Sequence, residues 1–533
     1  MQKRGKLIML TVLLILCVIT VTAEEMCSGD YTYVIVNNQA TIVKYNGEGW
    51  EVQIPDKLSG VPVKTIGPKA FEGNQSTRII HIPDSVETIT EGVFISYDWP
   101  RYFATSEYVF SVTDGKVAMM NSEGFQTDVR FPSTIFDMPV TRIGDGTVWL
   151  RKLDVTPVSS IIIPQGVETI SKHAFFQYAE NLSSVTLPAS VTVIDDDAFD
   201  GTRKLKKIEV DEANEVYAIF NGVLYNKVEK KLHTYPSCLP GSTFTVPEGI
   251  LRIGDNAFSL NEILETVVLP ESIEELGERS FASIKNLRQI NLPDSLTNFP
   301  PNVFVGSSNI EIIEVSDNHP WLRVIDDVLY SMEDKALLFY PPAKPKTAFA
   351  IPQGITKIGE HAFANTQLLK ELCIPESVTR IGSYAFASSG ITTLTIPDSV
   401  IRIGNSAFMS AKIKTVNLPN SLTIIPSALF YGSSLESIEI PATVTEIYNQ
   451  AFYNCTNLTD IEIPDSVQSI GKYAFNNCQN LCSVALPGTL EFIDEGAFAD
   501  CPNLTVYTTG SGYVVEYLKN NGIPYKLDKP DWL

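Results

Sequence analysis

The fold is decided by the stretch from Cys455 to Cys501, where CTNLTDIEIPDSVQSIGKYAFNN is followed by CQNLCSVALPGTLEFIDEGAFAD and then by Cys501. The second line repeats the first at 23 residues, so the cysteines fall in one column. Further columns are Leu458, Leu481 and Leu504; Pro464 and Pro487; and Phe452, Phe475 and Phe498. A fixed period of about 20 to 50 residues predicts a solenoid of stacked units.

Each unit has a simple internal order. The segment Ile461–Ile463 alternates apolar and polar residues, which predicts a short strand with one buried face. Pro464 has no N–H to donate and ends the strand, and Gly471 marks a turn. One face of a short helical turn is then formed by Ala474, Phe475, Cys478 and Leu481. We therefore expect strand, turn, short helix and return in every unit.

The full pattern, L-x-x-I-x-I-P-x-x-V-x-x-I-G-x-x-A-F-x-x-C, resembles the BspA-like class of leucine-rich repeats, which occurs in secreted and surface proteins. The resemblance implies an α/β leucine-rich-repeat solenoid, in which a curved parallel β-sheet has short helical turns on its other side. Terminal caps and two inserted hairpins complete the expected fold. The predicted structural core is a column of phenylalanines: Phe258, Phe281, Phe363, Phe386, Phe408, Phe452, Phe475 and Phe498.

The chain divides into 1–23, 24–54, 55–505 and 506–533. The first part has a basic start, an apolar run over Leu7–Val21 and a small-residue site ending at Ala23, so it is predicted to be a signal peptide. An uncleaved membrane anchor is the alternative. The second part is predicted to be an amino-terminal β-hairpin cap, the third the repeats and the fourth a carboxy-terminal cap.

Two units are longer than the others, with inserts at about 212–246 and about 317–351. Both carry a Val-Leu-Tyr triplet followed by Tyr-Pro, at Val223–Tyr225 and Val328–Tyr330. We interpret each insert as a small hairpin that projects from the stack. The region of about 97–160 departs from the repeat, and 108–131 resembles a decayed third copy of the insert.

Charge and cysteine content narrow the function. Asp and Glu number 62 against 40 Lys and Arg, which gives a net charge of −22 and argues against nucleic acid or anionic lipid as partners. The seven cysteines after residue 23 are an odd number, which does not suit a fully disulfide-bonded framework. Cys455, Cys478 and Cys501 are predicted to be buried thiols, with a disulfide between two of them as the alternative.

The sequence contains none of the motifs GxSxG, HExxH, GxxxxGK[ST] or GxGxxG, and its five histidines are scattered. We therefore predict no catalytic residues, no cofactor and no metal site. A glycan-active enzyme is the least favoured hypothesis.

The residues on either side of the central apolar strand position must point outward and form a broad polar face. The predicted ligand-binding residues on it are Gln289, Asn291, Glu371, Thr393, Thr395, Thr415, Asn417, Glu439, Asp460 and Glu462. A second candidate surface is formed by the insert aromatics Tyr225, Tyr235, Tyr330, Tyr340 and Trp321.

The resemblance adds that some BspA-like proteins bind host matrix proteins such as fibronectin or fibrinogen. We expect a secreted or cell-surface protein that binds other proteins, namely host matrix proteins or envelope components, and acts as an adhesin. The alternative hypothesis is a structural, self-associating cell-envelope protein.

Overall fold

The computed structural model describes residues 24–90, 93, 102–106, 108–113, 116–122, 127–144, 158–175, 180–510 and 512–527. The predicted signal peptide lies outside this part of the chain. Two compact units are present: one consists of Met1–Tyr178 and Thr186–Ala198, and the other of Ala179–Val185 and Phe199–Leu533.

The second unit is built on a first ladder, formed by the strands that precede the proline column. The ladder consists of several segments, and within each segment successive strands pair in parallel and in register, as Thr393–Thr395 does with Thr415–Asn417. The central residue of these strands is buried because the side chains alternate across the sheet. The strands are Lys207–Val210, Thr243–Thr245, Thr266–Val268, Gln289–Leu292, Ile312–Val315, Ala348–Ala350, Glu371–Cys373, Thr393–Thr395, Thr415–Asn417, Ser437–Glu439, Asp460–Glu462, Ser483–Leu486, Thr505–Thr508 and Tyr525–Lys526. Ser184–Leu187 has residues in both units.

A second ladder, which the sequence analysis missed, is formed by two-residue strands just before the glycine column. Arg380–Ile381, for example, pairs in parallel with Arg402–Ile403. Two residues are too few to show an alternating pattern in the sequence. The strands are Arg252–Ile253, Glu275–Leu276, Lys357–Ile358, Arg380–Ile381, Arg402–Ile403, Ile424–Ile425, Glu446–Ile447, Ser469–Ile470 and Phe492–Ile493.

The predicted helical turns are wrong. In their place each coil has tight turns whose N–H groups donate to the next coil, from Phe363 to Ala385 O at 2.7 Å and from Asn365 to Ala387 O at 2.9 Å. His361 and Asn365 have φ of 56° and 61°, a left-handed conformation that an α-helix does not allow. The apolar spacing that suggested a helix is therefore produced by turns whose N–H groups donate alternately to the next coil and to their own coil, as Ala364 N does to His361 O at 3.0 Å.

Helix is scarce in the described residues, which contain one 3-10 helix, Asp196–Phe199, and one α-helix, Tyr513–Asn520. The α-helix buries Val514 and Leu518 in the core of the last repeats. It lies between the final two first-ladder strands of the chain.

The phenylalanines of the turns form a stacked column inside the second unit. From Phe363 to Phe498, consecutive rings lie 4.9–5.5 Å apart with interplanar angles of 3–19°. Phe475 is fully buried between Phe452 at 4.9 Å and Phe498 at 5.2 Å. Offset aromatic stacking adds to the free energy gained by burying the rings.

The inserts form antiparallel strands, but they do not project from the stack. Val223–Asn226 is buried along its whole length, and Lys231–Thr234 pairs in parallel with the second-ladder strand Arg252–Ile253. Each insert is therefore a three-stranded meander that starts a new segment of the second ladder. The meander strands are Tyr217–Phe220, Val223–Asn226 and Lys231–Thr234 in the first insert, and Leu322–Ile325, Val328–Ser331 and Ala336–Phe339 in the second.

At the start of each meander, one side chain accepts hydrogen bonds from two backbone N–H groups, but the residue differs between the two inserts. Asn214 Oδ1 accepts the N–H groups of Val216 and Tyr217 at 2.9 and 2.7 Å. In the second insert His319 is fully buried, and its Nδ1 accepts the N–H groups of Trp321 and Leu322 at 3.4 and 3.1 Å. The His319 ring must therefore be neutral at Nδ1 to hold this turn.

The first unit contains the same meander twice. Its amino-terminal strands pair through Ala40↔Val63 and, after a one-residue bulge, Thr41↔Thr65. The region predicted to be degenerate has the same register and the same bulge. The strands of the whole first unit are Met26–Ser28, Tyr31–Val36, Gln39–Tyr45, Glu51–Gln53, Lys57–Leu58, Val61–Ile66, Ile79–His81, Thr88–Ile89, Tyr102–Ala104, Tyr108–Thr113, Lys116–Ser122, Asp128–Arg130, Thr134–Ile135, Met138–Ile143, Ser160–Ile162, Thr169–Ile170 and Val193–Ile194. Residues 97–160 are thus a second copy of the amino-terminal arrangement wherever they are described.

Replacing Phe475 with Ala should lower the free energy of unfolding by about 3–5 kcal/mol, because it leaves a cavity in the stacked column. The same change at Phe492, whose side chain is 51% exposed, should have little effect. Chemical denaturation of both variants measures the difference. Equal losses in the two variants would contradict a buried phenylalanine column.

His319→Asn should make the second insert resistant to acid. Burial is the largest influence on the pKa of His319 and lowers it. The positive charge of Arg323 also lowers this pKa, whereas the negative charges of Asp294 and Glu271 raise it. The unfolded chain therefore binds the proton more readily, and stability is lost as pH falls below about 6.5. Hydrogen exchange over 316–325, compared with 211–220 in the same protein, should show acid-dependent opening in wild type alone. Identical pH profiles in wild type and variant would refute this role.

Candidate functional site

The candidate site is the outer face of the first ladder between Glu371 and Glu462. The two flanking side chains of each strand are exposed and the central one is buried or, at Ile438, half-buried; Thr393 and Thr395, for example, are exposed on either side of buried Leu394. The pleat of the strand therefore leaves two outward positions per repeat.

Strand register brings the outward positions into two rows. Thr393, Thr415 and Ser437 form one row, and the other row is formed by Thr395, Asn417 and Glu439. Asn417 Nδ2 donates to Thr395 Oγ1 at 3.3 Å, so these two side chains brace each other across the repeat boundary. The middle of the face is a flat array of hydroxyl and amide groups.

Carboxylates lie on both sides of this array. Glu371, paired with Ala348, is exposed on the side of lower residue number, and Glu439, Asp460 and Glu462 are exposed on the other. Asp460 Oδ2 accepts a hydrogen bond from Thr459 Oγ1 at 2.7 Å. The face is therefore neutral in the middle and acidic at its ends, and it suits a ligand that donates hydrogen bonds and carries positive charge beside them.

Two predicted binding residues have other roles. Asn291 is half-buried, and its amide accepts from Leu269 N and donates to Leu269 O, each at 2.7 Å. Gln289 Nε2 donates to Glu314 Oε1 at 2.8 Å. Asn291 thus extends the backbone ladder and leaves little of its amide available to a ligand.

The insert aromatics do not form a binding surface. Tyr225, Tyr235, Tyr330 and Tyr340 are at most 5% exposed, and burial raises the pKa of Tyr235 and Tyr340 to about 12. Trp321 is half-buried, and its Nε1 donates to Leu296 O at 2.9 Å. These side chains hold the meanders in the core.

The seven cysteines after residue 23 are free thiols. Cys455 and Cys478 are buried, and their Sγ atoms lie 3.0 and 3.1 Å from the carbonyl oxygens of Phe430 and Phe452. Burial raises the pKa of Cys455 to about 12. Cys455 and Cys478 are therefore protonated thiols that donate to backbone carbonyl oxygens.

Metal-binding clusters and membrane-spanning helices are both absent from the described part of the chain. Its His, Cys, Asp and Glu side chains form no group of three or more that could hold a metal ion. No helix in the same residues is both long and apolar enough to span a bilayer.

The exposed positions of the second ladder were not predicted from the sequence. Lys357, Arg380 and Arg402 occupy equivalent positions in successive strands of that ladder. Their signal was in the sequence, as a basic residue placed before Ile-Gly at steps of 22 or 23 residues.

The family model for the BspA-type leucine-rich repeat region matches six copies here, over residues 50–113, 153–231, 231–331, 338–459 and 445–520. The chain belongs to the BspA-type leucine-rich repeat family. No curated protein sequence matches it.

Solved structures with a similar fold include a leucine-rich cell surface protein of Faecalibacterium prausnitzii, at 22% identity over 95% of this chain and 98% of that one, with a TM-score of 0.37. A leucine-rich repeat protein of Eubacterium ventriosum matches at 20% identity over 80% and 95% of the two chains, with a TM-score of 0.44. The pneumococcal vaccine antigen PcpA matches at 17% identity over 95% and 99%, with a TM-score of 0.31. These similarities concern the fold alone.

Thiol labelling should distinguish the exposed cysteines from the buried ones. Cys373 and Cys482 are exposed and should react with iodoacetamide in the native protein, whereas Cys455 should not, because it is buried and its pKa is raised. Mass spectrometry of the labelled peptides reads out each site, and labelling in denaturant is the control. Native labelling of Cys455 at the rate of Cys373 would contradict the buried column.

Proposed function

We propose that this is a secreted or cell-surface protein that binds other proteins through the outer face of its first ladder. The arrangement of Thr393, Thr395, Thr415, Asn417 and Glu439 in two exposed rows carries the proposal. Five neighbouring repeats, 371 to 462, present a face that suits a protein surface rather than a small molecule. The sequence of residues 1–23 supports export.

The proposed role is adhesion, with host matrix proteins as the first partners to test. Family membership supports a binding scaffold, and the face combines hydroxyl and amide groups with carboxylates at its ends. Such groups give specificity through hydrogen bonds and charge complementarity. No enzymatic activity is proposed.

Self-association in the cell envelope is the second candidate function. An exposed parallel ladder with polar side chains could be recognised by another copy, and the net charge of −22 opposes such contact at low salt. Assembly that increases with salt and protein concentration would therefore identify it.

Binding of the mature protein to immobilised fibronectin and fibrinogen, measured by biolayer interferometry, tests the proposal. The variant T415K/E439K places bulk and charge on both rows, and we expect it to lose binding at least about tenfold. The variant T423K/E491K makes the same chemical changes at exposed positions off the two rows and is the matched control.

The two functions give different results. Loss of matrix binding in T415K/E439K alone supports the adhesin hypothesis. Sedimentation that reveals assembly without any matrix ligand supports self-association. Equal binding by both variants contradicts a role for the first-ladder face.

A further inference from the structure

Five cations of the second unit pair with an acidic residue one repeat away. The distances between charged atoms range from 2.7 to 3.3 Å in the second unit. These pairs are Arg252–Glu275, Arg288–Glu311, Lys357–Asp334, Lys414–Glu436 and Lys472–Glu495. Stacking at 22 or 23 residues places the two members of each pair side by side.

Two cations of the second ladder differ from these five. Arg380 and Arg402 are directly paired in register, and Lys357 is paired with Arg380 on its other side. Both arginines are exposed, and neither has an acidic partner within ion-pair distance in the described residues. Like charges directly opposite each other destabilise a sheet. Lys357 is compensated by Asp334, so Arg380 and Arg402 are the two uncompensated cations of this column in a chain with 62 acidic residues.

We propose that the Arg380–Arg402 column binds an acidic segment of another protein. The two arginines lie on adjacent strands whose backbones are roughly 4.8 Å apart, and each guanidinium group can take a carboxylate in a bidentate hydrogen bond. A bound carboxylate pair removes the repulsion between the arginines. This surface belongs to the second ladder and is distinct from the proposed adhesive face.

The apolar neighbour of this column favours a protein over a polysaccharide. Ile401, adjacent to Arg402, is 66% exposed. Arginine beside exposed apolar surface is the usual composition of a protein interface. A sulfated polysaccharide offers charge without an apolar contact, and the net charge of −22 would repel a long polyanion. The fitting partner is thus a short segment in which Glu or Asp alternates with apolar residues.

The full-length mature protein can be tested with a fluorescein-labelled peptide that alternates Glu with Leu, read by fluorescence anisotropy at low and physiological salt. A peptide with Gln in place of Glu controls for the apolar contact, and unlabelled heparin is the competing polyanion. We expect the Glu peptide to bind, and R380Q/R402Q to weaken it at least about tenfold. The matched control R252Q/R288Q removes the same charge from two arginines that are already paired and should bind like wild type.

Stability provides the second readout. Removing the repulsion in R380Q/R402Q should leave the melting temperature unchanged or higher, whereas R252Q/R288Q should lower it. The proposal is overturned if the Glu peptide does not bind wild type, if R380Q/R402Q binds it normally, or if heparin binds in its place. It is also overturned if R380Q/R402Q melts at a lower temperature than R252Q/R288Q, since the arginines would then be structural.

Discussion

Hydrogen bonding between consecutive coils is the interaction on which the rest of the second unit depends. The first ladder, the second ladder and the turns all donate backbone N–H groups to the neighbouring repeat. A coil of 22 or 23 residues has too little core to be stable alone, so its backbone groups must be paired by its neighbours. The bonds between turns also explain why so few residues are helical, since a helix would pair the same groups within one coil.

The same bonds fix the side chains in columns. Once Phe475 N donates to Ala497 O, the ring of Phe475 must lie over its counterparts in the adjacent coils. Backbone register also positions the small polar residues of the turns, such as Ser307 and Cys478. Ser307 Oγ and Cys478 Sγ each donate a hydrogen bond to a phenylalanine carbonyl oxygen that the ladders leave available. Stacking identical residues is therefore a consequence of backbone register rather than a separate source of order.

Much of this was predictable from sequence, and the failures have physical causes. The period and the columns of proline and phenylalanine identified the repeat and the first ladder, because those residues sit where the backbone or the core allows few alternatives. The turn segment was misread because apolar residues at i, i+1 and i+4 suit either a helix or a turn with left-handed residues such as Tyr473. The role of Asn291 could not be read at all, since its hydrogen bonds to Leu269 join residues 22 apart in sequence.

The constraint that makes the backbone uniform also limits where function can reside. The inward side chains are constrained by packing, and the backbone groups are constrained by the hydrogen bonds of the ladders. Only the outward positions of each strand can therefore vary without loss of the fold. Variation among them is informative because the surroundings are nearly constant from repeat to repeat. Thr395, Asn417 and Glu439 occupy equivalent positions in the first ladder, as Lys357, Arg380 and Arg402 do in the second, and the differences within each column cannot be attributed to backbone geometry. A column of like charges in such a lattice is unfavourable for the isolated protein, which makes an external counter-charge the simplest physical reason for it.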